Sequence, residues 1–495
     1  MEDSAVPQPR IPVPASIRKL QPNIIRRVMV RASQIDGIMS LGGGRPREEI
    51  FPITAASIQV TAMPETDPEI SGSTTPPSLT LNVPLPRLVM NYNAWTFSHG
   101  LPELCTILQE HMMKWHAPPA KTWDLCATSG STDGINKLVL LLTQPGDVIF
   151  ASEYCYSGVL AGPQVQGRDI VGITMDSEGL LPEALSAQCA QFAARGKLPR
   201  VLYLIPTGQN PTGSTLSVKR RKAIYAVCRK YDLFIIEDDP YFFLQMPKYD
   251  PAGGDNDSEV CDSLMPSLLS MDTDGRVIRL DSFSKTIAPG LRLGWVTGPR
   301  EIIDKVRTFS QLTSWSMSGL PQSALVALLK HWGDDGFERH VTYLRRYYTR
   351  RRDALLRALD KHVRNCEAGS VPDNAQDERP VARWTHPSSG MFVWIEVPGV
   401  NTDDLVDLMM SEKVAMIPGS GFYAGLTPGP CPFLRATFAA LDIELYDEAA
   451  ARFARVLKRA VAEREEKQTT VLSYRRAGVF GAIALCVATL FANRM

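Results

Sequence analysis

Three stretches decide the fold. Val201-Leu202-Tyr203-Leu204-Ile205 runs into Pro206-Thr207-Gly208-Gln209-Asn210-Pro211-Thr212-Gly213. Leu233-Phe234-Ile235-Ile236 runs into Glu237-Asp238-Asp239-Pro240-Tyr241. Val277-Ile278-Arg279-Leu280 runs into Asp281-Ser282-Phe283-Ser284-Lys285. Each begins as a short apolar run of strand-forming residues and ends on polar ones. Val148-Ile149-Phe150-Ala151 and Gly294-Trp295-Val296-Thr297 extend the series, and helical stretches such as Val218 to Tyr231 separate most of them. Continuous apolar strands alternating with helices predict an α/β fold with a mostly parallel central sheet covered on both faces. Ligands of such sheets sit beyond the carboxyl ends of the strands. An amide, a carboxylate and an amine are thereby delivered to one rim.

A fourth element, Thr128-Ser129-Gly130-Ser131-Thr132-Asp133-Gly134, stands directly before an apolar helix. Small residues let the backbone approach an anion, and a helix N-terminus offers N–H groups and a positive dipole end. It differs from the G-x-x-x-x-G-K-[ST] nucleotide loop. A phosphate seat, a carboxylate at a strand end and a lysine in a Ser-x-Ser-Lys turn point to a phosphorylated aldehyde cofactor. Lys285 would hold it as a Schiff base and Asp238 would pair with a protonated pyridine nitrogen. Arg292, seven residues after Lys285, could reach the same phosphate.

Ser282-Phe283-Ser284-Lys285 with Gly290-Leu291-Arg292-Leu293-Gly294-Trp295 resembles the lysine motif of the class I/II aminotransferases, pyridoxal-phosphate enzymes of fold type I. Asn210-Pro211-Thr212-Gly213 and Glu237-Asp238-Asp239-Pro240-Tyr241 are the matching motifs, and the similarity runs from about residue 20 to 465. Leu41-Gly42-Gly43-Gly44, Phe51-Pro52, Gly390-Met391-Phe392-Val393-Trp394 and Phe433-Leu434-Arg435-Ala436-Thr437-Phe438 make the chain similar to the α-aminoadipate/kynurenine and fungal aromatic branch.

The resemblance implies a large domain with a mostly parallel sheet and a smaller α+β domain. It implies pyridoxal 5'-phosphate as cofactor and no metal. Lys285 would be the catalytic lysine and proton shuttle. Asp238 would pair with the pyridine nitrogen, and Asn210 and Tyr241 with the phenolic oxygen. Tyr156 would stack on the ring. Ser131, Thr132, Ser282, Ser284 and Arg292 would hold the phosphate. Arg435 would clamp the substrate α-carboxylate, a task suited to a planar two-pronged donor. The substrate loop would include Gly44, and Arg26 or Arg45 would meet the substrate side chain. Tyr92 or Trp95 would take the place of a tyrosine that reaches the neighbouring subunit of a homodimer.

The implied reaction moves an amino group from an aromatic or α-aminoadipate-like amino acid to a 2-oxo acid such as 2-oxoglutarate. A pyridoxal-phosphate C–S or C–C lyase is the enzymatic alternative, and an aminotransferase-like binding module the non-enzymatic one. The intact Lys285, Asp238 and Arg435 set argues against the latter.

Composition agrees with a folded enzyme. The 495 residues are 44% hydrophobic and 21% charged, with 53 basic and 53 acidic side chains, which excludes a polytopic membrane protein and a polybasic nucleic-acid coat. Nine cysteines without C-x-x-C spacing make neither a zinc site nor a disulfide framework. The N-terminus lacks a basic-then-apolar signal region, so a cytoplasmic, cytosol-facing enzyme is expected.

Four divisions are expected: an arm and part of the small domain over 1–80, the large domain over 81–345, the small domain over 346–468, and a tail over 469–495. Residues 63–80, 246–275 and 367–382 are expected to be loops. In the tail, Arg475-Arg476 precedes a sixteen-residue apolar stretch from Ala477 to Ala492. At 1.5 Å per residue it spans about 24 Å, against a hydrocarbon core of roughly 30 Å. A transmembrane anchor over 477–492 is the expectation, with a buried extra helix as the alternative.

Overall fold

The computed structural model describes residues 11–18, 34–39, 55–61, 78–83, 99–120, 122–251, 264–365, 381–425 and 429–463, with residues 20, 28, 31, 32 and 53. The chain divides into two units. One comprises Met1–Arg352, Thr385–Val393 and Gly421–Pro428; the other comprises Asp353–Trp384, Trp394–Ser420 and Gly429–Met495.

The first unit is built on a seven-stranded sheet. Its spatial order is Trp123–Thr128, Gly294–Pro299, Val277–Ser282, Phe234–Asp238, Val201–Leu204, Val148–Ser152 and Asp169–Ile173. Gly294–Pro299 runs antiparallel to both neighbours, and the other pairings are parallel. Every residue of the three inner strands Val201–Leu204, Phe234–Asp238 and Val277–Ser282 is buried. That two-sided burial is why their sequences read as unbroken apolar runs.

Helices Pro102–Trp115, Ser131–Leu142, Pro182–Ala194, Val218–Lys230 and Arg300–Thr313 belong to this unit. Gly319–His362 is drawn as one long helix, but Gly333 breaks it with φ 58° and ψ −169°. The core joins Leu104, Leu108 and Met112 to Phe150, Leu202 and Ile235 of the sheet.

The two outermost strands were not evident from sequence. Trp123–Thr128 carries Asp124, whose carboxylate takes two hydrogen bonds from Arg307, at 2.7 and 2.9 Å. Asp169–Ile173 begins on an exposed aspartate and contains Gly172. Edge positions tolerate such residues, so the apolar run that marks an inner strand is missing. Part of the 63–80 stretch expected to be loop also differs: Ser78–Val83 pairs antiparallel with Ala56–Thr61. Residues 381–384, at the end of another expected loop, form a strand.

The second unit carries a five-stranded sheet ordered Arg364–Asn365, Val381–Trp384, Phe392–Glu396, Phe433–Thr437 and Ile417–Pro418. Trp394 and Phe433 stack there with centroids 5.2 Å apart. A helix over 446–463 closes the described chain.

The membrane expectation is corrected. Among the described residues no helix is long and apolar enough to cross a membrane. The stretch 477–492 lies outside the described residues, and its sixteen residues fall about 6 Å short of a bilayer core. Cys105, Cys126, Cys155, Cys189 and Cys228 are buried thiols.

Candidate active site

The strand Phe234–Asp238 ends on Asp238, which is 3% exposed. Tyr203, on the neighbouring strand, donates its hydroxyl to Asp238 Oδ2 at 2.7 Å. The other oxygen, Oδ1, is buried with no hydrogen-bond partner. Burial pushes this carboxyl up to about 7, against the Tyr203 hydrogen bond and with the help of the Asp239 charge. A buried carboxylate with one bonded and one unbonded oxygen is suited to receive a cationic N–H.

Beside it lies an anion cradle. Helix Ser131–Leu142 starts at Gly130, whose φ of 88° is open to glycine at little cost. Ile135, Leu138, Val139 and Leu142 form its buried stripe. A Cβ on Gly134 would come within 2.5 Å of Leu280, so the helix lies hard against the sheet. Ser129 N–H and Lys137 bond Asp133 Oδ2 at 3.0 and 2.6 Å, which fixes the first turn. Arg292, in the left-handed region at φ 51°, donates from Nη2 to the Ser129 carbonyl at 3.0 Å. A Cβ on Gly130 would meet that nitrogen at 2.7 Å, so the guanidinium lies over the glycine. Ser131 Oγ is buried without a hydrogen bond, yet approaches Asp238 closely enough to favour its ionised form.

The lysine turn follows the strand Val277–Ser282. Ser282 Oγ donates to Ser284 Oγ at 2.9 Å and accepts the Ser284 N–H at 3.1 Å. Both hydroxyls are thus held on the turn that carries Lys285. His340 pairs through Nε2 with the carbonyl of Thr286, the residue after the lysine.

The loop after Val201–Leu204 brings Asn210, 6% exposed, to the same sheet edge. Gln209 organises it: its Nε2 donates to the Tyr154 carbonyl at 2.6 Å, and its Oε1 accepts Thr212 N–H and Oγ1 at 2.9 and 2.7 Å. Gln209 thereby ties the Asn210 loop to the segment leading into Tyr156. A Cβ on Gly158 would collide with the Tyr156 ring at 2.4 Å, so that ring lies over the first turn of helix Ser157–Val165. Tyr241 is buried, with its ring 6.0 Å from Phe392 at 84°.

The sequence profile of the family described as aminotransferase class I and II matches residues 89–453. The chain belongs to that family. The mouse mitochondrial kynurenine/alpha-aminoadipate aminotransferase is 34% identical over 439 residues, covering 86% of this chain and 92% of the relative. A Schizosaccharomyces pombe aromatic amino acid aminotransferase, C569.07, is 37% identical over 368 residues, covering 73% and 75%. Among solved structures, aminotransferase Aro8 from Candida albicans superposes with a TM-score of 0.79 at 28% identity, covering 92% of this chain and 99% of that one.

This aminotransferase therefore has the type I pyridoxal-phosphate fold, and pyridoxal phosphate is its cofactor. The residues present fit that group. Asp238 Oδ1 is an orphaned buried acceptor of the kind that can take a cationic ring N–H, and Ser131 Oγ is an orphaned hydroxyl at the start of the cradle helix. Glycines 130 and 294 let strand and cradle pack closely: a Cβ on Gly294 would meet the Asp281 carbonyl at 2.6 Å and Gly130 Cα at 3.1 Å.

The first unit of this aminotransferase thus holds Ser131, Thr132, Tyr156, Asn210, Asp238, Tyr241, Ser282, Ser284, Lys285 and Arg292 at the ends of its sheet strands, on the loops that follow them, or in the first turn of a helix. Arg435 stands on strand Phe433–Thr437 of the second unit, opposite Ile417. Arg26, Gly44, Arg45, Tyr92 and Trp95 lie outside the described residues. Tyr203 and Gln209 were missed from sequence. A tyrosine inside an otherwise aliphatic inner strand was the available signal, because a buried phenol needs a partner.

Proposed function

We propose that this aminotransferase moves the amino group of an aromatic or α-aminoadipate-like amino acid to a 2-oxo acid, with 2-oxoglutarate as acceptor, through Lys285. The observation that carries the reading is the unbonded, buried Oδ1 of Asp238 beside an anion cradle and a lysine turn. The substrate class rests on the names of the relatives, kynurenine/alpha-aminoadipate and aromatic amino acid aminotransferases. No observation favours the lyase alternative. Residues 81–345 serve as the cofactor domain and 346–468 as the smaller one, in a homodimer.

Pyridoxal phosphate, when bound, supplies an electron-withdrawing ring that acidifies the substrate Cα–H. Asp238 would hold the protonated ring nitrogen through its unbonded carboxylate oxygen and keep it charged. Tyr203 keeps the other carboxylate oxygen engaged, so the side chain cannot swing away. Asn210 and Tyr241 would bond the phenolic oxygen, and Tyr156 would stack on the ring. Ser131, Thr132, Ser282, Ser284 and Arg292 carry the phosphate at the helix N-terminus. Lys285 Nζ would take the Cα proton as general base and deliver it, as general acid, to the cofactor's aldehyde carbon. Arg435 would hold the substrate carboxylate, Gly44 would belong to the substrate loop, and Arg26 or Arg45 would meet the substrate side chain.

Adding single amino acids to the purified holoenzyme without an oxo acid tests this. One oxo acid released per site, followed by a halt that 2-oxoglutarate relieves, is the expected result. Continued product release without an acceptor would establish lyase chemistry and overturn the reading. Aromatic amino acids and α-aminoadipate should discharge the enzyme faster than alanine or aspartate.

A further inference from the structure

Arg279 is a near neighbour of Asp238 in the sheet but faces away from it. In the parallel pairing, Arg279 lies opposite Glu237 and Leu280 opposite Asp238. Side chains alternate along a strand. Leu280 therefore shares the face of Asp238, where Gly134 of the cradle helix presses on it. Arg279 shares the other face with Glu237, Asp239 and Asp281.

On that reverse face the guanidinium is fully buried. Its Nε lies 3.0 Å from both oxygens of Asp281, and its Nη2 donates to Asp281 Oδ1 at 2.8 Å. Its Nη1 reaches Glu237 at 3.2 Å and Asp239 at 3.3 Å. Phe242 covers it, with the ring centroid 5.0 Å away. Burial works against the charge, but Asp281, Glu237 and Asp239 outweigh it and hold the guanidinium above its usual pKa. The other titratable groups acting with it are Arg221, His111 and His116, and burial pushes both histidines down, so they stay neutral.

Each carboxylate is tied to a different part of the site. Glu237 and Asp239 flank Asp238, and Glu237 also accepts the N–H groups of Leu268 and Leu269 at 2.7 and 3.0 Å. Asp239 accepts the Thr207 hydroxyl at 3.0 Å, three residues before Asn210. Asp281 immediately precedes Ser282 and lies four residues before Lys285. A buried ionic cluster is seldom more stable than well-packed apolar side chains of the same volume. Stability alone does not account for four charged groups here.

We propose that Arg279 is a positioning residue: one guanidinium behind the sheet sets the spacing between the Asp238 carboxylate, the Asn210 loop and the Ser282–Lys285 turn in front of it. This rests on the reading that Asp238 and Lys285 hold the cofactor.

The test uses the holoenzyme of Arg279→Lys, which keeps the charge and loses the two-pronged fork. Three quantities are measured: the pH midpoint of the visible band of the lysine-bound cofactor, the cofactor dissociation rate, and kcat and KM for the amino donor. Because the charge is conserved, a moved midpoint reports displaced groups. The midpoint should move by roughly half a pH unit or more. Dissociation should quicken about tenfold, and kcat should fall about tenfold or more while KM changes less. A folded variant with wild-type midpoint and dissociation rate overturns the proposal. Should Arg279→Lys not fold, Thr207→Val decides, since it deletes the hydroxyl that donates to Asp239, at the cost of one of the four hydrogen bonds of Arg221, whose Nη2 keeps the Pro206 carbonyl: faster cofactor loss supports the proposal and unchanged values overturn it. A band that survives Lys285→Ala overturns the site reading itself, whereas a band lost there with a wild-type-like Arg279→Lys overturns this proposal alone.

Discussion

Tyr203 and Asp238 form a buried pair in which the phenol satisfies one carboxylate oxygen, at 2.7 Å, and leaves the other unbonded. The phenol sits on one strand and the carboxylate at the end of the next, so the parallel pairing of Val201–Leu204 with Phe234–Asp238 sets their approach. The hydrogen bond favours the ionised carboxylate, opposing the burial that raises its pKa to about 7.

Tyr203→Phe should therefore raise the Asp238 pKa further and loosen the cofactor. A hydrogen bond to a charged group contributes about 1.5–3 kcal/mol, so cofactor affinity should drop about tenfold or more. Equilibrium dialysis of the cofactor measures this, and an affinity equal to wild type would argue that Asp238 does not face the ring nitrogen.

The cofactor-free protein should show the burial of Asp238 in its pH dependence. Burial pushes the folded carboxyl up to about 7 from its ordinary 3.8, so the folded state holds a proton that the unfolded chain releases between them. Stability should accordingly fall as pH rises from about 4 to about 7 and change no further from this group above that. Asp238→Asn should remove that slope, gaining on wild type by at most about 4 kcal/mol across the window. Denaturant midpoints of both proteins at several pH values provide the check; parallel curves would contradict the shift.

Gly130→Ala should damage the cradle. The residue sits at φ 88°, and its new methyl would lie 2.7 Å from Arg292 Nη2. Backbone strain of about 1–3 kcal/mol and a displaced guanidinium should speed cofactor release by about tenfold or more. Stopped dilution into excess phosphate, followed by the visible band, reads the rate.

Lys285→Ala should abolish the visible band of the lysine-bound cofactor and lower turnover by at least about 10²-fold, the usual contribution of a positioned acid–base group. Turnover within a factor of a few of wild type would remove Lys285 from the mechanism.

Leu280→Ala tests the layer that joins the two halves of the site. Leu280 is fully buried beside Asp238 and against Gly134. Truncating a buried leucine costs about 2–5 kcal/mol, so the unfolding midpoint should fall clearly, with weaker cofactor retention. A loss below about 1 kcal/mol would mean the helix refills the space.

The three inner strands and the polar loops after them were legible because both faces of the strands are buried, which leaves a continuous apolar run ending in chemistry-bearing residues. The outer strands were not legible. Asp124 pairs with the partly buried Arg307 and Asp169 meets solvent, and the apolar signal disappears. The cradle helix was readable from small residues before an apolar stripe, though its start at Ser131, inside that small-residue stretch, depends on the Gly130 backbone. The expected membrane helix over 477–492 was drawn from hydropathy alone, and no described helix has the length and apolarity such a span needs.

By itself the sequence determined the α/β class, the pyridoxal-phosphate chemistry and the order in which Asn210, Asp238 and Lys285 reach the rim, because strand periodicity and local turn residues are written in neighbouring positions. Only the tertiary structure decided that Tyr203 bonds one oxygen of Asp238, that Gln209 ties the Asn210 loop to Tyr154, and that Arg279 gathers Glu237, Asp239 and Asp281 behind the sheet. Most of those partners are tens of residues apart in the chain. What brings them together is strand register and the face each side chain takes, and these are set by packing the whole sheet at once.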